Sequence, residues 1–427
     1  MQEKSVEVNG INIYSLLNPN LRSFCLCLYI RAGSIFETSA DNGISHFFEH
    51  IVFRNIKSQY EKFYEQLALH GIDIQATTYK EFIQFEINGP SSEFAFGADV
   101  LCHIFDEIEI SKEEFLKEKN RIKAEIREDS DRASLDYYFN KLVWDSTEVE
   151  KGVLGYCKVL DRISLKKLNE FRKEIFTKDN FFIYITGSVA EKDIELLNEK
   201  AGKLDIQQNE SKRTNTITLN KEFFNRTGKV EVKNDYWHYI KFGFDFDTRK
   251  ISGGVIDILY CVLFKCENAL VYNYLSEDNP IIYSYDSTQE QYDNIANLNF
   301  KFEVSRAKLL DAVKIVVELL NDVKDGKFNF EASLKLETST VAMDLDKPCN
   351  LNWGMAYYNH ILKTTPIDYT DELYGRFKNV SKEQVMEAAK EIFQTKNMTV
   401  AIKGNKKKIN TEEIESILKR LDVNNVG

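Results

Sequence analysis

The sequence is poor in the features that mark disordered, secreted or membrane-spanning chains. It has only 5 prolines in 427 residues and no low-complexity tract, which argues against a largely disordered chain. No apolar run approaches the roughly 20 residues that a membrane helix needs. The N-terminal residues 1–7 contain no apolar signal core. We therefore expect a globular protein of the cytoplasm.

Cysteine is scarce and odd in number. The 7 cysteines are scattered through apolar stretches, a pattern that favours free core thiols in a reducing compartment over a disulfide framework. Cys25 and Cys27 are two positions apart in an apolar run of strand length, so they would share one face of a sheet. A metal role for this pair is the alternative to ordinary core packing.

Positive charge is in deficit. The chain has 56 Lys and Arg against 67 Asp and Glu, a formal net charge of −11. This balance disfavours nucleic acid, which binds to basic surfaces, and provides no polybasic patch for an anionic membrane. It is compatible with cationic peptides as substrates.

A chain of 427 residues is too long for one ordinary core, so we expect at least two domains. Two distant segments share a pattern that indicates an internal duplication, an apolar β-rich run that ends in glycine and is followed by a charged amphipathic helix. The first segment comprises 181–187 with 191–204, and the second comprises 398–404 with 411–421.

The duplication predicts an α+β fold of two similar domains, 1–206 and 216–427. Between them, residues 207–215 are polar and typical of a linker.

The most informative stretch contains His46, Glu49 and His50. The pattern predicts a helix from Ser45 to about residue 56, capped by Ser45 or Asn42. On a helix, positions 46 and 50 lie one turn apart on one face, which suits two ligands of a tetrahedral zinc ion. Glu49 beside them could accept a proton from a metal-bound water. Two histidines at this spacing around a glutamate favour a metal site over a purely structural helix.

A catalytic zinc ion needs a third protein ligand. The helical stretch 115–128 offers Glu118 and Glu125, which are seven positions apart and share one helix face. Spacing does not decide between them, and a solvated charged face is the ordinary interpretation of each.

The H-x-x-E-H order is the inverzincin signature, and the sequence resembles the pitrilysin, insulysin and mitochondrial processing peptidase family of zinc endopeptidases. The segments that carry the resemblance are 9–11, 32–38 and 42–53. In that family the third ligand stands in a Glu-Ile pair on a long helix, and Glu125 with Ile126 takes that place, 75 residues after His50. The resemblance therefore implies one Zn²⁺ per chain, bound by His46, His50 and Glu125. It also implies that Glu118 supports these ligands.

The resemblance also implies how a substrate is bound. The family binds peptides as an added strand through an Asn-Ala-x-Thr segment, to which Gln75, Ala76 and Thr78 correspond, with glutamine in place of asparagine. A family Arg and, seven residues later, a Tyr of the second domain also reach the substrate. Tyr283 matches the tyrosine, but Ser276 stands where the arginine is expected.

We therefore expect a zinc metalloendopeptidase that cleaves small or unfolded polypeptides. Leader removal from a peptide precursor and general peptide turnover are both open. Because Ser276 replaces the arginine, the resemblance implies a heterodimer with a homologous half-size chain, with a homodimer as the alternative. A non-catalytic peptide-binding or scaffold subunit is one rival interpretation, and a metal-dependent hydrolase of another substrate is a second.

Overall fold

The chain divides into two compact units whose segments interleave along the sequence. The first unit comprises Met1–Ser130, Glu148–Asn215 and Ala342–Glu372, and the second comprises Asp131–Thr147, Thr216–Val341 and Leu373–Gly427. The computed structural model describes residues 1–129, 135–145, 147–210, 229–236, 238–265, 269–292, 294–362 and 375–422.

The first unit contains a mixed sheet of six strands. These are β1 (Lys4–Val8), β2 (Ile11–Leu17), β3 (Ser23–Ile30), β4 (Asp73–Thr78), β5 (Ile83–Pro90) and β7 (Phe181–Gly187), with the short pair β6 (Thr177–Lys178) and β8 (Gln207–Glu210) beside it. The order across the sheet is β1-β2-β7-β3-β5-β4, so β4 is an edge strand. The turn between β1 and β2 is the Asn-Gly pair, with φ of 55° at Asn9 and 78° at Gly10, as a tight hairpin requires.

Helices of the first unit pack mainly on one face of this sheet. They are α1 (Ile44–Gln59), α2 (Phe63–His70), α3 (Phe94–Cys102), α4 (Lys112–Asp129), α6 (Cys157–Leu160), α7 (Leu165–Ile175) and α8 (Glu191–Ala201). Side chains along β3 alternate between the two faces of the sheet, and Phe24, Leu26 and Leu28 belong to the main core of the first unit. The other face of β3 is covered by α13 (Pro348–Ala356), which contacts β3 and β7.

The second unit has a five-stranded sheet. Its strands are β9 (Lys229–Asn234), β10 (Tyr239–Asp247), β11 (Tyr285–Tyr292), β12 (Ile295–Glu303) and β13 (Met398–Gly404), in the order β11-β12-β10-β13-β9. Its helices are α5 (Leu135–Val143), α9 (Gly253–Phe264), α10 (Leu270–Tyr272), α11 (Leu309–Lys324), α12 (Phe330–Asp344), α14 (Lys382–Ile392) and α15 (Thr411–Leu418).

The two sheets have one topology. In the first, β2 pairs with β7 in parallel, and β7, β3, β5 and β4 follow in antiparallel order. In the second, β9 pairs with β13 in parallel, and β13, β10, β12 and β11 follow in antiparallel order. The predicted α+β fold of two similar domains is confirmed.

The predicted linker begins as a strand, because 207–210 forms β8 and pairs with β6, while 211–215 lies outside the described residues. The division into domains 1–206 and 216–427 stays a prediction. Among the helices that the structure describes, none is both long enough and apolar enough to cross a membrane.

The helix α1 is anchored in the core of the first unit. Phe47, Phe48 and Ile51 are fully buried. The ring of Phe47 stacks on Phe115 of α4 with 5.3 Å between centroids. Since α1 and α4 pack directly against each other, polar side chains on their facing surfaces are brought together.

Candidate active site

The start of α1 is held by the buried carboxylate of Glu37. It accepts hydrogen bonds from the backbone N–H groups of Gly43 (2.7 Å) and Ser45 (2.9 Å), a favourable position for an anion at a helix N-terminus. The expected cap by Ser45 or Asn42 is wrong, because the helix starts after Gly43 without a capping side chain. Ser45 Oγ instead accepts a hydrogen bond from the N–H of Gly33, and a carboxylate distant in sequence replaces the local cap.

Three side chains from α1 and α4 converge on one point. Nε2 of His46 lies 3.2 Å from Nε2 of His50. Oxygens of Glu125 lie 3.6 Å from the first nitrogen and 3.4 Å from the second. Ligand atoms about 2.0–2.1 Å from a zinc ion at tetrahedral angles are roughly 3.4 Å apart, so this triangle has the dimensions of one face of a zinc tetrahedron.

The two rings have different surroundings. Burial, reinforced by the neighbouring His50, lowers the pKa of His46 to about 3, so this ring is neutral. Nδ1 of His50 lies 2.9 Å from Oε1 of Glu118. Burial alone would raise the pKa of Glu118, but hydrogen bonds from His50 and Arg54 outweigh it and lower the pKa. The ionised Glu118 can only accept, so Nδ1 of His50 is the donor of this bond, and Nε2 is the nitrogen on the side of His46 and Glu125.

The two Nε2 atoms and the carboxylate of Glu125 face one another at distances that a shared cation would bridge. The donor set of two imidazoles and one carboxylate is one that zinc accepts, and a fourth position is left for water. The residues present therefore fit a zinc ion. Glu118 acts on His50 from outside the ligand set, and Arg54 fixes Glu118 from the far side at 2.5 Å.

Glu49 is buried beside the two histidines and is bound by Thr78. The hydroxyl of Thr78 donates to Oε2 of Glu49 at 2.6 Å. Burial raises the pKa of Glu49 above its ordinary value, although the bond from Thr78 and the neighbouring His50 oppose the shift. A carboxyl group with a raised pKa can take up and release a proton nearer neutral pH, as a general acid-base requires.

The predicted substrate-binding segment forms the edge strand β4. The backbone of Ala76 pairs with β5 on one side. Among the described residues no backbone hydrogen bond occupies the outer side of β4, so this edge can accept an added strand. The side chain of Gln75 points away from α1 and donates to Oε1 of Glu86 at 2.9 Å, while Thr78 points to Glu49.

The remaining predicted contact lies in the second unit. Tyr283 is 95% exposed, which is a large exposed fraction for an aromatic residue. Ser276 lies in a one-turn π-helix, Asn273–Glu277, on the same unit. The structure thus brings His46, Glu49, His50, Glu118, Glu125 and Thr78 together in the first unit, with Gln75 and Ala76 on the adjoining strand.

Sequence reasoning missed Arg54, Glu37 and the bond between Thr78 and Glu49. Arg54 is one turn beyond His50 on α1, so its position on the motif face was a usable signal. No local pattern indicates the other two contacts.

Comparison with known proteins shows what the part of the chain that carries these residues is similar to. The sequence profile of the family described as Insulinase (Peptidase family M16) matches residues 14–155, which include the five residues of the site on α1 and α4. The Bacillus subtilis protein named uncharacterized zinc protease YmxG is 27% identical over 193 residues, 44% of this chain and 47% of its own. A probable mitochondrial-processing peptidase subunit beta of Schizosaccharomyces pombe is 23% identical over 196 residues, 45% of this chain and 43% of its own. The match therefore spans about half the length of these relatives.

Solved structures share the whole fold. A protease from Helicobacter pylori superposes with a TM-score of 0.82 at 16% identity over 94% of this chain and 99% of that one. A peptidase M16 inactive domain from Pseudomonas fluorescens superposes with a TM-score of 0.77 at 12% identity over 95% of this chain and 98% of that one. The resemblance stated from the sequence is confirmed, and at these identities the structures show the fold alone.

Proposed function

We propose that this chain, whose residues 14–155 belong to the insulinase family of peptidases (family M16), is a zinc-dependent endopeptidase. The observation that carries the proposal is the convergence of His46, His50 and Glu125 around one point, with the carboxyl group of Glu49 beside it. A scaffold subunit would have no need to keep a buried acid-base group next to a ligand set.

Each residue of the site has its own proposed role. His46, His50 and Glu125 would hold the zinc ion, which when bound lowers the pKa of a water molecule and polarises a carbonyl group. Glu49 takes the proton of the attacking water and delivers it to the leaving amine. Thr78 holds the carboxyl group of Glu49 in place for both transfers, and Glu118 keeps the proton of His50 on Nδ1, away from the metal side.

The edge strand β4 would bind the substrate. A peptide added to β4 in an extended conformation would make main-chain hydrogen bonds, and Thr78 at the end of β4 would bring the peptide beside Glu49. Main-chain recognition suits small or unfolded polypeptides with little demand on their sequence. Removal of a leader from a peptide precursor is one such reaction.

The assembly that we propose is a heterodimer. The chain carries the exposed Tyr283 but has Ser276 in place of an arginine, and serine cannot offer a guanidinium group to a substrate carbonyl. A homologous half-size chain would supply both the arginine and the tyrosine. We place this enzyme in the cytoplasm.

The test is the cleavage of an internally quenched peptide by the zinc-loaded protein, alone and with a co-expressed homologue. We expect cleavage that a chelator abolishes and that added zinc restores. His50→Ala should lose one equivalent of zinc relative to the wild type and all cleavage. His70→Ala, a histidine on α2 outside the site, is the matched control and should retain both. Cleavage that survives in His50→Ala would refute the proposal.

A further inference from the structure

A second group of metal-binding side chains lies on the other face of the first sheet. Cys25 and Cys27 of β3 point away from the main core and are fully buried, with their Sγ atoms 3.6 Å apart. Glu86 of β5 stands opposite Cys27 in the strand register. Its Oε2 lies 4.0 Å from the Sγ of Cys27. Thiols and a carboxylate are therefore gathered where a sheet normally buries hydrocarbon.

The helix α13 adds a third cysteine to this group. Cys349 neighbours Cys25 and, after burial and Cys27, contributes to the raised pKa of the Cys25 thiol. Its position is fixed by Asn352, whose side chain donates to the backbone oxygens of Cys25 (3.3 Å) and Tyr184 (2.9 Å). Thr186 donates to the backbone oxygen of Pro348 at 2.7 Å. The cluster is thus held by regular elements on each side.

The distances in the cluster are close to those of a thiolate zinc site. With Zn–S of about 2.3 Å and Zn–O of about 2.0–2.2 Å, tetrahedral ligands lie roughly 3.8 Å apart for two sulfurs and roughly 3.6 Å apart for sulfur and oxygen. The observed separations, 3.6 Å between the two sulfurs and 4.0 Å between Cys27 and Glu86, need only small rotations of side chains.

The hydrogen bonds of Glu86 leave one oxygen for a ligand. Oε1 accepts from Gln75 at 2.9 Å and from Asn88 at 3.3 Å. Among the described residues, Oε2, which faces the cysteines, accepts only long bonds, from Gln84 at 3.4 Å and from the Cys27 thiol at 4.0 Å. Amide donors on the outer oxygen would orient the carboxylate while Oε2 binds a cation, as partners of ligating carboxylates commonly do. Within the described part of the chain, none of the hydrogen-bond partners of Glu86 is a cation.

The cluster can be reached from solvent. A cavity of about 530 Å³ between β4, β5 and α13 is lined by both Glu86 and Cys349. From the grouped ligand atoms of Cys25, Cys27 and Glu86 and from this access, we propose that these three residues form a second metal site that binds Zn²⁺ or another thiophilic ion, with the neighbouring Cys349 as a further ligand. It is separate from the site on α1 and α4 and does not depend on the peptidase assignment.

Binding exchanges protons for the ion and involves no redox step. Burial raises the pKa of the Cys25 thiol, so this thiol is protonated in the absence of a cation. Each thiol that becomes a ligand loses its proton to the solvent, and a thiolate–metal bond forms in its place. Zinc binding to a site with three thiols should therefore release protons. The cysteine variants should release fewer.

The test counts zinc in the full chain after removal of metal and titration with Zn²⁺. The wild type should bind two equivalents. Cys25→Ser with Cys27→Ser should bind one and keep the site on α1 and α4, whereas His46→Ala with His50→Ala should bind one and keep the cysteine site. Cys102→Ser with Cys157→Ser, two cysteines outside the cluster, is the matched control and should bind two.

Substitution with Co²⁺ gives an independent readout. Thiolate ligation produces a strong charge-transfer absorption in the near ultraviolet that imidazole and carboxylate ligands do not. The band should appear in the wild type and in the double-histidine variant, and should be absent from the double-cysteine variant. Glu86→Gln, a change of similar size that preserves packing, should keep the band but weaken the affinity. A wild type without the band, or a double-cysteine variant that still binds two zinc ions, would overturn the proposal.

Discussion

Thr78, the last residue of β4, donates a hydrogen bond of 2.6 Å to Glu49 of α1. One bond thus joins the strand that we expect to bind substrate to the group that we expect to move the proton. Burial raises the pKa of Glu49, and the hydrogen bond from Thr78 opposes this because it stabilises the ionised form. Removal of the donor should therefore raise the pKa of Glu49 further.

Thr78→Val tests this relationship. A hydrogen bond to a charged group contributes about 1.5–3 kcal/mol, so we expect kcat/KM to fall roughly 10- to 100-fold. Because the base must be ionised to act, the acidic limb of the pH profile of kcat/KM should move to higher pH. Thr77→Val, on the opposite face of the same strand, should leave the limb where it is. If the acidic limb of Thr78→Val did not move, the Thr78 hydroxyl would have no part in the acid-base role of Glu49.

The third ligand can be tested with neighbouring glutamates. Glu125→Gln should weaken zinc binding at the histidine site far more than Glu128→Gln, because only Glu125 approaches the two histidines. Glu118→Gln should fall between the two, at about 10- to 100-fold weaker, as expected for a residue that orients a ligand. Competition with a chromophoric chelator measures all three affinities. Equal affinities of the Glu125 and Glu128 variants would contradict the ligand assignment.

In the second unit, Asp136 of α5 joins Lys241 of β10 and Lys301 of β12. The bond to Lys241 is 2.7 Å long, and Lys301 binds the other oxygen. Burial alone would raise the pKa of Asp136, but the two lysines outweigh it and lower the pKa. The stabilisation is therefore present above the unfolded pKa of about 3.9 and is lost as the pH falls through the lower folded value.

Asp136→Asn should reduce the free energy of unfolding at neutral pH by about 1–2 kcal/mol, below the roughly 3–5 kcal/mol of a fully buried pair because the side chain is 41% exposed. The difference from the wild type should shrink at acid pH. Asp286→Asn is the control, since this side chain is 77% exposed and also pairs with Lys301. Urea titrations at several pH values measure both. A difference that grows on acidification would have the wrong sign for this account.

Ser276 stands where the family resemblance implies an arginine. We therefore expect that the chain alone binds zinc but cleaves peptides poorly. Addition of a homologous half-size chain that carries the arginine should restore turnover. In that complex Tyr283→Phe in this chain should have little effect, because the partner supplies both the arginine and the tyrosine. Steady-state cleavage with and without the partner measures this. High activity of the isolated chain, unchanged by any homologue, would favour a self-sufficient enzyme.

Much of the fold could be predicted because its signals are local. The apolar run of strand length that contains Cys25 and Cys27 forms β3, and the repeated strand-helix pattern at the end of each half is confirmed by the structure. The packing of α5 and α13 could not be predicted in the same way. Helical periodicity indicates that a face is buried, but it does not indicate which sheet covers it.

At the site, spacing along α1 predicted the proximity of His46, Glu49 and His50, because residues three and four apart share a helix face. The choice of Glu125 over Glu118 needed family resemblance, since both lie on one face of α4. The contacts of Glu37 and Thr78 with α1 join elements that are distant in sequence, so no local rule identifies them. The cysteine cluster was visible as a pair on one strand, but Glu86 and Cys349 join it only through the tertiary fold.

The central claim is that Glu49 moves the proton while other residues hold the metal. The most direct test is Glu49→Gln, with zinc content and peptide cleavage measured on one sample, in the assembly in which the wild type is active. The account predicts unchanged zinc content, since Glu49 is not a ligand, and a loss of cleavage of about 10²–10⁴-fold or more. Near-normal turnover in a variant that keeps its zinc would contradict it.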